Sequence, residues 1–112
     1  MTDPAAGPES GPPWMRSKIE IVCERAIVEE VVAWLRERGV RGHTIVPHVS
    51  GAGRQGRRGA DDASRVFENA LIIAIAPRAI ARAVLAESVE RLRDFTAIVY
   101  LSDVEVARPD HF

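Results

Sequence analysis

From Arg16 the chain alternates: Ile19, Ile21 and Cys23 fall on one side, and Lys18, Glu20 and Glu24 on the other. A period of two predicts a half-buried strand. The period then changes. Ile27, Val31 and Leu35 recur at helical spacing, and Val28, Val32 and Trp34 widen the stripe. Glu29, Glu30, Arg36 and Arg38 take the wet side and Gly39 follows as a stop, so a helix of about three turns is expected. Thr44–Val49 reads as a second strand, with Pro47 confining it to a sheet edge. Val66–Ile75 is apolar at nearly consecutive positions, as a strand covered on both sides would be. Pro77 fits the first turn of a second helix carrying Ile80, Val84, Leu85, Val89 and Leu92. Ala97–Val106 is the last strand.

The order β-α-β-β-α-β predicts an α+β, ferredoxin-like domain: a four-stranded antiparallel sheet with two helices on one face. The apolar positions of Val66–Ile75 and Ile98–Leu101 call for cover on the other face too. No further element remains to supply it, so association through the open sheet is expected. Residues 1–15, with four prolines and two glycines, read as a flexible tail, and 16–112 as the domain. Within it, Ser50–Ser64 holds four glycines, three arginines and no large apolar residue, and reads as a long flexible loop.

At 112 residues the chain has room for one domain. Fifteen basic against sixteen acidic side chains argue against general nucleic-acid binding, which normally shows as a basic excess. A single cysteine excludes a disulfide framework, and no apolar run is long enough for a transmembrane helix. A cytoplasmic location without membrane insertion is the expectation. Of the fifteen basic residues fourteen are arginine, whose planar fork suits carboxylate and phosphate.

The loop opens Gly51-Ala52-Gly53-Arg54-Gln55-Gly56, a literal G-x-G-x-x-G. No helical stripe follows it, so a dinucleotide fold is not indicated. Its glycines can still turn successive N–H groups toward an anion, with Arg54, Arg57 and Arg58 adding charged donors. A merely solvated loop is the competing reading. His43 and His48 lie five apart on an extended segment, roughly 16 Å at about 3.3 Å per residue, too far to share a metal. Cys23 alternates in register with the core positions, and Trp34 sits on the apolar stripe, so both read as core. No nucleophile elbow or carboxylate pair argues for an enzyme.

Particular stretches resemble the PII signal-transduction superfamily, and within it the PII-like proteins linked to carboxysomes and bicarbonate transport. They are Ile21-Val22-Cys23-Glu24, Gly42-His43-Thr44-Ile45, Gly51-x-Gly53, and the ending Ser102-Asp103-Val104-Glu105-Val106-x-Arg108-Pro109-x-x-Phe112. The resemblance covers Lys18 to Phe112. It departs in the loop, where relatives show Gly-x-Gly-Ser-Arg-Gly-x-Arg and this chain has Gln55 for the middle arginine and Arg54 one position earlier.

The resemblance implies a homotrimer with an adenine-nucleotide site in each cleft between subunits. Gly42, His43 and Thr44 would line the base; Gly53, Arg54, Gly56 and Arg58 would approach the phosphates. The Arg93–Phe95 turn, through Phe95, would close one side, and Arg108 would come from the C-terminal segment. ADP or AMP (or ATP) and bicarbonate are the implied ligands, with no cofactor required. A membrane transporter or carboxysome-associated protein is the implied partner. The alternative is a metal-binding trimer like the CutA-type or copper-tolerance relatives of the same fold.

Overall fold

The computed structural model describes residues 12–53, 56–58 and 68–112. Its elements are β1 (Met15–Glu24), a 3-10 turn at Arg25–Ile27, α1 (Val28–Glu37), β2 (Thr44–Val49), β3 (Gly51–Gly53), β4 (Gly56–Arg58), β5 (Asn69–Ala76), α2 (Arg78–Arg91), β6 (Ile98–Glu105) and a 3-10 turn at Pro109–His111. Four strands form one antiparallel sheet in the order β2-β5-β1-β6. This is the ferredoxin-like arrangement.

Strand period decides which side is core. On β1, Ser17, Ile19, Ile21 and Cys23 are buried; on β5 the buried side is Ala70, Ile72, Ala74 and Ala76. Register locks the two together, with Ile19 opposite Ala74 and Leu101, and Ile21 opposite Ile72 and Val99. Against this face pack Val31, Trp34 and Leu35 of α1 and Ala81 and Val84 of α2. Helix α1 stops in a Schellman closure: Gly39 N–H donates to Arg36 O and Val40 N–H to Leu35 O, both at 3.0 Å. Gly39 takes φ +95°, the left-handed region that disfavours a side chain, and an added Cβ would lie 3.2 Å from Ile80 Cδ1.

The opposite face has no cover in the single chain. Leu71, Ile73 and Ile75 of β5 and Val22 of β1 are half-buried there, and Ile98 of β6 is 59% exposed. Glu20 interrupts the apolar surface, paired with Lys18 at 3.1 Å and accepting from the Tyr100 hydroxyl at 3.2 Å. Strand β2 is an edge strand, as Pro47 required, and its register with β5 breaks between Val46 and Val49. His48 sits in that break at φ +59°, hydrogen-bonded to Glu68.

Several expectations need correction. Pro12–Met15, assigned to the tail, is tied to the domain: Met15 opens β1 and Val106 N–H donates to Trp14 O at 3.0 Å. Pro77 is the N-cap of α2 rather than inside its first turn. Val89, placed on the apolar stripe, is 72% exposed, while Ser88 takes the buried position with its hydroxyl donating to Leu85 O at 2.6 Å. Within the Ser50–Ser64 segment, where no regular element was expected, β3 and β4 pair as a short ribbon, Gly51 opposite Arg58 and Gly53 opposite Gly56. Residues 54–55 and 59–64 of that segment, residues 1–11 of the tail, and Val66 and Phe67 of the predicted strand lie outside the described residues.

Candidate functional site

Strand direction distributes the candidate residues. Thr44 pairs with Ile73 and Ser17 with Ala76, so the starts of β1 and β2 share one end of the sheet with the finish of β5. Met15 pairs with Glu105, which brings the finish of β6 to that same end. From there the C-terminal segment is tied across that end. Arg16 Nη2 donates to Pro109 O at 2.8 Å, and Arg41 Nη1 to Asp110 O at 2.9 Å. The turn thus runs from the β6 edge past β1 to the residue that precedes Gly42. Gly42, His43, Thr44 and Arg108 are thereby assembled at one end, all solvent-exposed.

The other candidates sit at the opposite end. Val49 pairs with Asn69 and Glu24 with Asn69, so β2 finishes where β1 finishes and β5 starts. Gly53, on β3, and Gly56 and Arg58, on β4, follow from that end. Arg54 lies outside the described residues. Helix α2 carries the chain down the sheet, roughly 21 Å at about 1.5 Å per residue, to the turn where Phe95 N–H donates to Leu92 O at 3.1 Å. Phe95 is 38% exposed and lines a depression of about 60 Å³ with Leu92, Arg91, Trp34 and Glu30. Ligand pockets commonly measure about 300–1,000 Å³, so this depression alone does not hold a nucleotide. One protomer therefore divides the expected set between two ends of its sheet.

The side chains beneath are fixed. Trp34 is fully buried, its Nε1–H donating to Glu87 Oε1 at 3.0 Å, with Arg91 stacked 5.4 Å from the ring centre. Arg38 Nε also donates to Glu87, at 2.7 Å. These two hydrogen bonds, Trp34's first, hold the Glu87 carboxyl below its ordinary value. Cys23 is enclosed among core side chains, and that burial, with Glu24 nearby, pushes its thiol up to about 11. A group so rarely ionised at neutral pH is a core residue, not a nucleophile. Among the described residues no group of three or more His, Cys, Asp or Glu side chains is placed to hold a metal ion. No helix among them is long and apolar enough to cross a membrane.

Two residues escaped the sequence reading: Arg16 and Arg41, which tie down the C-terminal turn. Arg41 stands next to Gly42-His43-Thr44, the one hint the sequence carried.

Known proteins share this fold. The family model for nitrogen regulatory protein P-II matches residues 16–111. Among solved structures, CPII from Thiomonas intermedia K12, a nitrogen regulatory PII-like protein bound to ADP, AMP and bicarbonate, superposes with a TM-score of 0.79. It is 29% identical, over 88% of this chain and 94% of that one. A PII-like signalling protein from Thermus thermophilus gives 0.73 at 22% identity, over 88% and 95%, which speaks to the fold alone. The GlnK–ATP complex of B. subtilis gives 0.53 at 25% identity, over 79% and 82%. No curated protein sequence matches the chain.

Proposed function

The chain belongs to the nitrogen regulatory protein P-II family, and we propose that within it this is a non-enzymatic, PII-like sensor that binds an adenine nucleotide of the ADP or AMP type together with bicarbonate. The observation that carries this reading is the similarity to CPII solved with ADP, AMP and bicarbonate, at 29% identity along nearly the whole domain. The site geometry agrees in one respect. Candidate residues lie at two ends of the sheet, so a complete site forms where one subunit's Gly42–Thr44 and Arg108 meet the β3–β4 ribbon and Phe95 of another.

The assembly we propose is a homotrimer packed through the open sheet face, where Val22, Leu71, Ile73 and Ile75 stand only half-buried. Gly42, His43 and Thr44 line the base. The glycines and arginines at 53–58 approach the phosphates, and Arg108 supplies a charged donor from the C-terminal turn. Ligand occupancy changes the order of the β3–β4 ribbon, which engages a partner such as a bicarbonate transporter or a carboxysome-associated protein.

Calorimetric titration with ATP, ADP, AMP and cyclic AMP, with and without bicarbonate, tests the ligand. If both bind, each must change the other's affinity by the same factor. No heat from any nucleotide would overturn the sensor reading, and no bicarbonate effect would reduce it to nucleotide sensing. Arg108→Ala is expected to weaken nucleotide binding by roughly ten- to a hundredfold, the worth of one hydrogen bond to a charged group. Unchanged affinity would remove Arg108 from the site.

A further inference from the structure

We propose that Arg16 and Arg41 are positioning residues for the ligand site, latching the C-terminal turn across the end of the sheet and so fixing where Arg108 stands beside Gly42–Thr44. The inference rests on the nucleotide reading above and adds to it two residues that touch no ligand.

The turn itself is short. His111 N–H donates to Arg108 O at 3.0 Å and Phe112 N–H to Pro109 O at 3.2 Å. A single 3-10 turn past the last strand does not hold its own place. Two guanidinium groups do that, Arg16 from β1 and Arg41 from the connection before β2, taking the carbonyls of consecutive residues, Pro109 and Asp110. Arg16 is the half-buried anchor. Its Nη1 also donates to Pro13 O at 2.9 Å and Met15 O at 2.7 Å, so one side chain ties both ends of the domain together. Its Nε is enclosed with no acceptor among the described residues. The group therefore stays there for what its two terminal nitrogens reach. Arg41 is the exposed anchor, one residue from Gly42.

The acceptors matter for charge as well. Both are neutral carbonyls, and no carboxylate among the described residues pairs with either arginine. The latch therefore binds neither guanidinium to a carboxylate, and with Arg108 it sets three positive charges against the one negative charge of Asp110 in the turn itself. Moving Arg108 by an ångström would undo a charged hydrogen bond to phosphate, so rigidity here translates into affinity.

The test is ADP titration of the full chain as wild type, Arg41→Ala, Arg41→Lys, Arg108→Ala and Arg41→Ala/Arg108→Ala, with amide exchange read at His111 and Phe112. Arg41 is preferred because it is exposed and its loss spares the core; Arg16→Ala is a second variant expected to act in the same direction. Arg41→Ala is expected to bind ADP about three- to tenfold more weakly and to exchange faster at both amides. Arg41→Lys, which keeps a charged donor, recovers most of the affinity. In the Arg108→Ala background Arg41→Ala has little further effect, because it acts through Arg108. Full additivity there would mean that Arg41 meets the ligand itself and would overturn the positioning role. A wild type that binds while Arg41→Ala binds equally well overturns the latch alone. A wild type that binds no adenine nucleotide overturns the functional reading and the latch's purpose with it.

Discussion

Gly39 and Glu87 show how single residues hold the helix layer in place. Gly39 at φ +95° closes α1 and lets Val40 return to the core. A side chain there meets the left-handed penalty of about 1–2 kcal/mol and presses on Ile80 Cδ1; the gain from a stiffer unfolded chain, ~0.4–1 kcal/mol, does not offset both. Gly39→Ala is therefore expected to lower stability by about 1 kcal/mol in urea unfolding, and an unchanged midpoint would contradict this. Glu87 accepts from Trp34 and Arg38, which bridges α2 to α1. Its folded pKa lies below the ordinary 4.5, so its ionised form stabilises the fold fully above about pH 4.5. That contribution is lost as pH falls through the folded value. Wild type and Glu87→Gln should therefore converge in thermal stability below pH 4.5 and separate above it. A difference independent of pH would show that the carboxylate charge is not what matters.

At the scale of elements, what was legible depended on whether an interaction leaves a mark on side-chain type. The alternation of Ile19, Ile21 and Cys23 marks a core strand because burial selects apolar groups, and Pro47 marks an edge because it cannot donate. Such signals were sufficient for the four-stranded sheet and both helices. Ser88 and Val89 misled for a physical reason. A serine whose hydroxyl is satisfied within its own helix can be buried like alanine, and a lone valine can face water at small cost. The C-terminal latch was invisible because Arg41 bonds a backbone carbonyl 69 residues away, and every residue has one. The β3–β4 ribbon was hidden likewise: its pairing is between main chains, two of its three pairs including glycine. A ribbon of three pairs is marginal by itself, so ligand contact should shift its order measurably. Amide exchange within Gly51–Gly53 and Gly56–Arg58 is expected to slow at saturating ADP. Identical exchange with and without nucleotide would contradict a signalling role for this segment.

The whole molecule poses the sharpest question, because the divided site and the uncovered sheet face have the same solution. Both are resolved if copies pack through the face carrying Leu71, Ile73 and Ile75. Ile73 offers a probe whose deciding readout is sedimentation, because on one side it pairs with Thr44 of the candidate site. It stands directly opposite Glu20 on the neighbouring strand, so a lysine there gains a cross-strand partner in the isolated chain. Buried between subunits, the same lysine leaves a desolvated charge worth several kcal/mol of penalty. Ile73→Lys is therefore expected to sediment as a folded monomer with an unaltered far-ultraviolet spectrum, while the wild type sediments as a trimer at micromolar concentration. The variant keeps every candidate site residue: Gly42, His43, Thr44, Gly53, Gly56, Phe95 and the loop and C-terminal arginines. It should nevertheless lose nucleotide binding, since the halves of the site at the two ends of one sheet lie too far apart to grip one ligand. A monomeric Ile73→Lys chain that still binds ADP with wild-type affinity would place the whole site within one subunit, and a wild type that sediments as a monomer would remove the trimer.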